Sequence, residues 1–156
     1  MRALALGLAL LAIGDCRAAQ ERLPEAGIFL AGHSRGSVSA AALAAKLGNA
    51  VQGVVLISTA SKRDRHGQAL SAFDFATILI PVLLIHHRND AWPINPYVNA
   101  ERLSKRFPIV TVSGGDPSQS GPCDSQSAHG FWGRDAPVAK AMKSWMLGQD
   151  FAREIG

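Results

Sequence analysis

The chain has 156 residues, 47% of them apolar and 18% charged, which suits one domain with a real core and leaves no room for a second of ordinary size. Its net charge is +4, yet Lys and Arg are scattered, and the densest runs, SKRDRHG and ERLSKRF, each include an acid. With no basic stripe carrying interleaved aromatics and no zinc or RNA-binding signature, the charge argues for a solvated surface and against nucleic-acid recognition, and no apolar run is long enough for a stable membrane span.

Residues 1–23 form a separate apolar segment. The stretch 3–13 follows a cationic start, and Cys16-Arg17-Ala18 offers small residues at a cleavage site. That fits a signal peptide, which would export the protein. An Ala/Leu-rich helix of the fold itself fits as well and leaves the protein cytoplasmic. Strand-like sequence begins at Gly27, so a cleaved signal would leave almost nothing ahead of it. This tips the balance slightly toward the helix.

From residue 24 onward strand-like and helix-like runs alternate, which defines the domain 24–156. GIFLAG (27–32) is a short apolar run ending in glycine, and SVSAAALAAKLG (37–48) predicts a helix with Gly48 as its C-cap. VQGVVLIST (51–59) is β-branched and apolar. Residues 61–80 mix a polar loop with a short helical or irregular run. PVLLIHH (81–87) is again β-like, with Pro81 at its start, where the missing N–H costs least. NPYVNAERLSKRF (95–107) predicts a helix entered through an Asn95 N-cap and Pro96. PIVTVSGG (108–115) is a fourth strand, residues 116–135 a long polar loop, and 136–151 an amphipathic closing helix.

Near-continuous apolar strands separated by helices predict an α/β fold, a parallel sheet of about four strands flanked by helices. Right-handed crossovers would place all strand C-termini at one edge, where such sheets bind their ligands.

That edge collects the chemistry. Gly32-His33-Ser34-Arg35-Gly36 matches G-x-S-x-G, a pattern short enough to arise by chance in a chain with 15 glycines. Its context is more specific, because the serine follows a strand directly and precedes a helix directly. Such a sharp turn strains the serine backbone and leaves no space for a Cβ at the flanking Gly32 and Gly36. It also sets the Arg35 N–H at a helix N-terminus, where an oxyanion would be stabilised. A serine hydroxyl needs a base, and the base an orienting acid. Asp90 lies in the turn after 81–87, and His129 lies in the loop after 108–115. The order Ser34, Asp90, His129 therefore occupies three different strand ends.

Each residue has a blander alternative. Ser34 could be a helix N-cap, a role Ser37 can fill instead, and Asp90 could close an Asx turn. Asp116 and Asp124 are weaker acids for the role because they share the histidine's own loop. His86 and His87 precede the acid on a strand end and are expected to pack or line the cleft. His33 is expected as a pocket wall and His66 as a solvated loop residue. The Arg35 side chain is structural or an anion contact. Trp92, Phe131 and Trp132 flank the site and either line an acyl pocket or simply pack. Cys16 and Cys123 form no CxxC pattern and are expected as unpaired thiols, with no metal or other cofactor.

Through GHSRGS, PVLLIHHRNDAWP and SAHGFWG the chain resembles the α/β-hydrolase superfamily, in particular small dienelactone-hydrolase-like or esterase-like bacterial members. The resemblance runs from Gly27 to about Leu147 and matches the second half of that fold. It implies a serine hydrolase acting on a small ester-like substrate, with Ser34 as nucleophile, His129 as general base and then acid, and Asp90 as the acid that orients it. In the family the first half of the sheet supplies a second oxyanion N–H and a pocket wall. Where Ala91 stands, relatives often carry a cysteine able to pair with one in the later loop, which would leave Cys123 without that partner.

So little sequence precedes the nucleophile strand that strand 27–32 is expected to be an apolar edge, open to homodimer formation. It also raises an alternative function, a truncated or non-catalytic module that binds or oligomerises without efficient turnover. Nucleotide binding is a weak third reading, since GHSRGS lacks the third glycine of G-x-G-x-x-G and the lysine of a phosphate loop.

Overall fold

The computed structural model describes residues 21–22, 26–63, 67 and 69–156. The two readings of residues 1–18 and the expectation for His66 lie outside them. From Phe29 the chain forms β1 (Phe29–His33), α1 (Gly36–Leu47), β2 (Gly53–Ile57), β3 (Val82–His87), α2 (Tyr97–Leu103), β4 (Ile109–Val112), α3 (Asp135–Met146) and β5 (Glu154–Ile155). The strands build one sheet in the order β1-β2-β3-β4-β5, and every pair is parallel.

Burial along β2 and β3 explains their near-continuous apolar sequence. Side chains alternate between faces, and both faces are covered. Val54, Leu56, Val82 and Leu84 join Leu30 and α1 in one core cluster. Val55, Leu83, Ile85, Val110 and Val112 join Val138 and Ala141 of α3 in the other. Helix α1 presents Ser37, Ala40, Ala41 and Ala44 inward, the i, i+3, i+4, i+7 stripe of an amphipathic helix. These small residues bring the helix close to β1. A Cβ on Gly32 would stand 2.2 Å from the Gly36 carbonyl oxygen and 2.7 Å from Ala40 Cβ.

The sheet has five strands where about four were expected. The fifth is a two-residue strand, Glu154–Ile155, which pairs with β4 through Thr111 and Val112. It exists because the closing helix stops early. Helix α3 ends at Met146, and Gly148 at φ 65 takes the left-handed position. Gly148 N–H donates to Trp145 O and Gln149 N–H to Ser144 O. This paired termination turns the chain back toward the sheet.

Two further differences concern α2. It covers Tyr97–Leu103 and not 95–107, and its N-cap is Pro96. Asn95 is fully buried, and its amide donates to the Ser58 carbonyl instead of capping the helix. The segment 61–80 includes two single-turn 3-10 helices, Leu70–Ala72 and Phe75–Thr77.

Parallel pairing in this register aligns the strand C-termini. His33 sits opposite Ile57, and Ile57 opposite Ile85. The ladder continues one residue past the strands, with Ser34 N–H on Ile57 O and Ser58 N–H on Ile85 O, both at 2.9 Å. The first residues after β1, β2 and β3 therefore crowd one sheet edge.

Candidate active site

Ser34 is half-buried and sits on the turn between β1 and α1 at φ 52, a left-handed conformation uncommon for a residue with a Cβ. Its carbonyl accepts the Ser37 N–H at 3.0 Å and the Ser37 hydroxyl. Arg35 is the N-cap residue and no side chain caps the helix, so neither Ser34 nor Ser37 fills that role. Arg35 precedes α1 with helical φ and ψ. Its main-chain N–H belongs to the first turn, the positive end of the helix dipole. The Arg35 side chain extends toward the loop at Gly67, where an added Cβ would lie 3.6 Å from Nη1.

The two flanking glycines differ. Gly32 has no space for a Cβ, as expected. At Gly36 an added Cβ meets nothing within 4 Å among the described residues. The expectation of crowding at both glycines is thus corrected for Gly36. The Gly36 backbone is helical and the position a Cβ would take is open, so of the two glycines only Gly32 needs to lack a side chain.

Asp90 and His129 meet. His129 Nδ1–H donates to Asp90 Oδ2 at 2.7 Å, with both side chains withdrawn from solvent. The second carboxylate oxygen, Oδ1, accepts the Trp92 N–H at 2.9 Å. Asp90 therefore closes an Asx turn and holds the imidazole with the same carboxylate. A histidine with Nδ1–H committed to a carboxylate keeps Nε2 as its acceptor. Ser127 starts the 3-10 turn Ala128–Gly130 that carries this histidine, and its hydroxyl accepts the His129 N–H. A Cβ on Gly130 would lie 2.1 Å from Ser125 O, so this loop is packed tightly on itself. Among the described residues the Ser34 hydroxyl makes no hydrogen bond to His129.

The other histidines have structural partners. His87 accepts the Asn89 N–H at Nδ1 and so carries its proton on Nε2, which donates to Gly114 O at 3.0 Å. His86 is fully buried. Its Nδ1–H donates to His87 O at 3.2 Å, and its Nε2 has no hydrogen-bond partner among the described residues. Burial pushes its pKa below the ordinary imidazole value. His33 has an exposed face, but its ring packs edge-on against His129 at 4.7 Å between centroids. The water this removes lowers its pKa, outweighing the opposing hydrogen bond to His129 O.

The sequence model of the serine hydrolase family matches residues 13–140. The chain belongs to the serine hydrolase family. Its parallel sheet flanked by three helices is a partial α/β-hydrolase fold. The chain is similar in structure to Est1E from Butyrivibrio proteoclasticus, with a TM-score of 0.60 at 18% identity over 88% of this chain and 67% of that one. Est1E with ferulic acid bound matches with a TM-score of 0.60 at 20% identity over 88% and 66%. The chain thus spans about two thirds of the length of Est1E, and at these identities the likeness is one of fold. No curated protein matches its sequence.

The flanking aromatics divide. Phe131 is buried in the α3-side core, with its ring against His87, so it packs there. Trp92 and Trp132 are half-buried. Cys123 is an exposed free thiol, and Cys16 lies outside the described residues. Asp116 and Asp124 are exposed, and Asp124 closes its own turn onto Gly121 N–H at 3.0 Å.

A groove of about 410 Å³ lined by Phe29, Gln52, Pro81, Trp145 and Phe151 opens at the opposite end of the strands from Ser34. Its lining holds no titratable group, so it is not where the Ser34 chemistry would occur. Among the described residues no cluster of His, Cys, Asp or Glu is arranged to hold a metal ion, and no helix is long and apolar enough to cross a membrane. The residue that sequence reasoning missed is Ser58. It is fully buried at φ 43, and its hydroxyl donates to His129 O at 2.9 Å. The only local signal for it is its position directly after β2.

Proposed function

We propose that the protein hydrolyses an ester or related acyl bond through an acyl-enzyme. Ser34 attacks the carbonyl carbon. His129 Nε2 takes the hydroxyl proton and later returns it to the leaving alcohol. Asp90 holds the tautomer that leaves Nε2 free and stabilises the imidazolium that forms. The Arg35 N–H contributes to oxyanion binding at the start of α1. Water, activated by the same histidine, then releases the acid and restores the serine. The observation that carries this reading is the buried 2.7 Å bond between His129 and Asp90. It stands beside a serine held in a left-handed strand–helix turn.

The test is turnover of p-nitrophenyl acetate and a feruloyl ester, the second because Est1E binds ferulic acid, together with fluorophosphonate labelling. Activity and labelling that vanish in Ser34→Ala support the reading. A folded protein that is inert to both substrates and the probe sinks it.

The second reading is a module that binds or self-associates without efficient turnover. What favours it is the missing hydrogen bond between the Ser34 hydroxyl and His129. Such bonds are often long before substrate arrives and tighten in the complex. A monomeric, well-folded chain with clear esterase activity removes this reading.

A further inference from the structure

His129 sits in a long polar loop whose regular structure is a single 3-10 turn. Its bond to Asp90 constrains one ring nitrogen, and the His33 ring packs edge-on against the imidazole. A further constraint lies on its backbone. The His129 carbonyl accepts two side-chain hydrogen bonds, from Ser58 Oγ at 2.9 Å and from His33 Nε2 at 3.0 Å. These donors come from 71 and 96 residues away.

Both donors are placed by the sheet. His33 is the last residue of β1 and is bonded directly to Ser34, so one arm ties the histidine loop to the strand that carries the serine. Ser58 follows β2, and its own carbonyl accepts the amide of the buried Asn95. Ser58 holds φ 43, a backbone that glycine would adopt without strain. A side chain kept there at a conformational cost has to contribute something, and its hydroxyl is fully engaged with His129.

We propose that Ser58 and His33 act as a carbonyl clamp, positioning residues that set the His129 peptide plane and thereby hold its ring between Asp90 and Ser34. The proposal rests on the reading of Ser34, His129 and Asp90 as the reacting groups. Two donors on one carbonyl fix the peptide plane, which directs the Cα–Cβ bond. With Asp90 at Nδ1, the ring is then constrained at both ends. Misplacement by a fraction of an ångström costs rate and leaves substrate binding nearly untouched.

The test is Ser58→Gly, which keeps the left-handed backbone and deletes the hydroxyl. Three quantities are read: kcat and KM separately on p-nitrophenyl acetate, the melting temperature, and the low-field proton resonance of His129 Nδ1–H on Asp90. The clamp requires kcat to fall about tenfold or more while KM stays within about twofold. It also requires a melting temperature no lower than wild type and a shifted or broadened resonance. His33→Ala should lower kcat in the same way. His33→Gln, whose side-chain amide can donate the same bond, should recover most of the loss.

A folded Ser58→Gly protein with wild-type kcat and an unmoved resonance overturns the clamp, and so does a change confined to KM. Should Ser58→Gly fail to fold, the His33 pair decides. Wild-type kcat and resonance in His33→Ala then overturn the proposal. A wild-type protein without turnover or Ser34 labelling removes the nucleophile reading instead. The resonance still reports the clamp in that case, since it needs no substrate.

Discussion

His129 Nδ1 and Asp90 Oδ2 stand 2.7 Å apart across 39 residues of chain, and neither side chain reaches solvent. Asp90→Asn retains an oxygen for the Trp92 N–H but turns a donor toward the ring. His129 must then carry its proton on Nε2, the atom that would accept one from Ser34. Ester hydrolysis should fall by about 10³- to 10⁴-fold, the scale seen when a triad acid is neutralised elsewhere. Circular dichroism should be unchanged. Steady-state kinetics on both variant and wild type check this, and a loss under tenfold would count against the tautomer role.

Ser34 carries a conformational cost that the proposed nucleophile role would explain. Its φ of 52 is one that glycine accepts freely, so Ser34→Gly should abolish turnover and stabilise the fold. The expected gain is about 1 kcal/mol, or a rise of roughly 3 °C in melting temperature. Thermal denaturation beside the activity assay reads both. A fall in melting temperature would mean that the serine side chain is more important to packing than the turn geometry implies.

The glycines on either side should respond oppositely. Gly32→Ala drives a Cβ to 2.2 Å from the Gly36 carbonyl, which forces α1 off the sheet and should cost about 2 kcal/mol or more. Gly36→Ala meets open space among the described residues on a helical backbone, and should stabilise by about 0.5 kcal/mol through the unfolded chain. Urea denaturation midpoints distinguish the two, and equal effects would contradict the geometry.

Acid sensitivity should trace to His86. It is fully buried, and burial depresses its pKa; the hydrogen bond to the His87 carbonyl and the Asp90 carboxylate oppose that shift, while the charges of His129 and His87 add to it. The unfolded chain binds the proton near the ordinary imidazole value of about 6.5. Below that pH the unfolded state holds more protons. The contribution of neutral His86 is therefore complete above about pH 6.5 and is lost as pH falls through its lower folded pKa. His33 acts in the same direction. Denaturant midpoints from about pH 7.5 down to about pH 5 should decline for wild type and decline less for His86→Phe. Parallel curves for the two proteins would show that His86 is not the group responsible.

Much of the fold was readable because its signals are local. VQGVVLIST and PVLLIHH are apolar on successive residues, as strands covered on both faces must be, and β2 and β3 lie within them. The stripe in SVSAAALAAKLG and its terminal glycine specify α1 with its Gly48 cap. Gly148 was an equally local stop for α3. Overlooking it extended the predicted helix to 151 and hid β5, whose two residues have no periodicity to read and form a strand only because β4 offers an edge. Asn95-Pro96 has the local chemistry of a helix start, but the Ser58 carbonyl 37 residues away takes the amide.

By itself the sequence determined a parallel α/β sheet, a serine on a strand–helix turn, and an acid and a histidine in the loops after two later strands. All of these follow from short-range patterns of side-chain size, branching and turn chemistry. Tertiary structure alone decided which groups touch. It set the bond between Asp90 and His129, the two donors on the His129 carbonyl, the open space at Gly36 and the burial of His86. The reason is physical. Such contacts are set by strand register and by packing on the two sheet faces, which bring residues 39 to 96 positions apart within hydrogen-bond distance, and no local pattern encodes a distance of that kind.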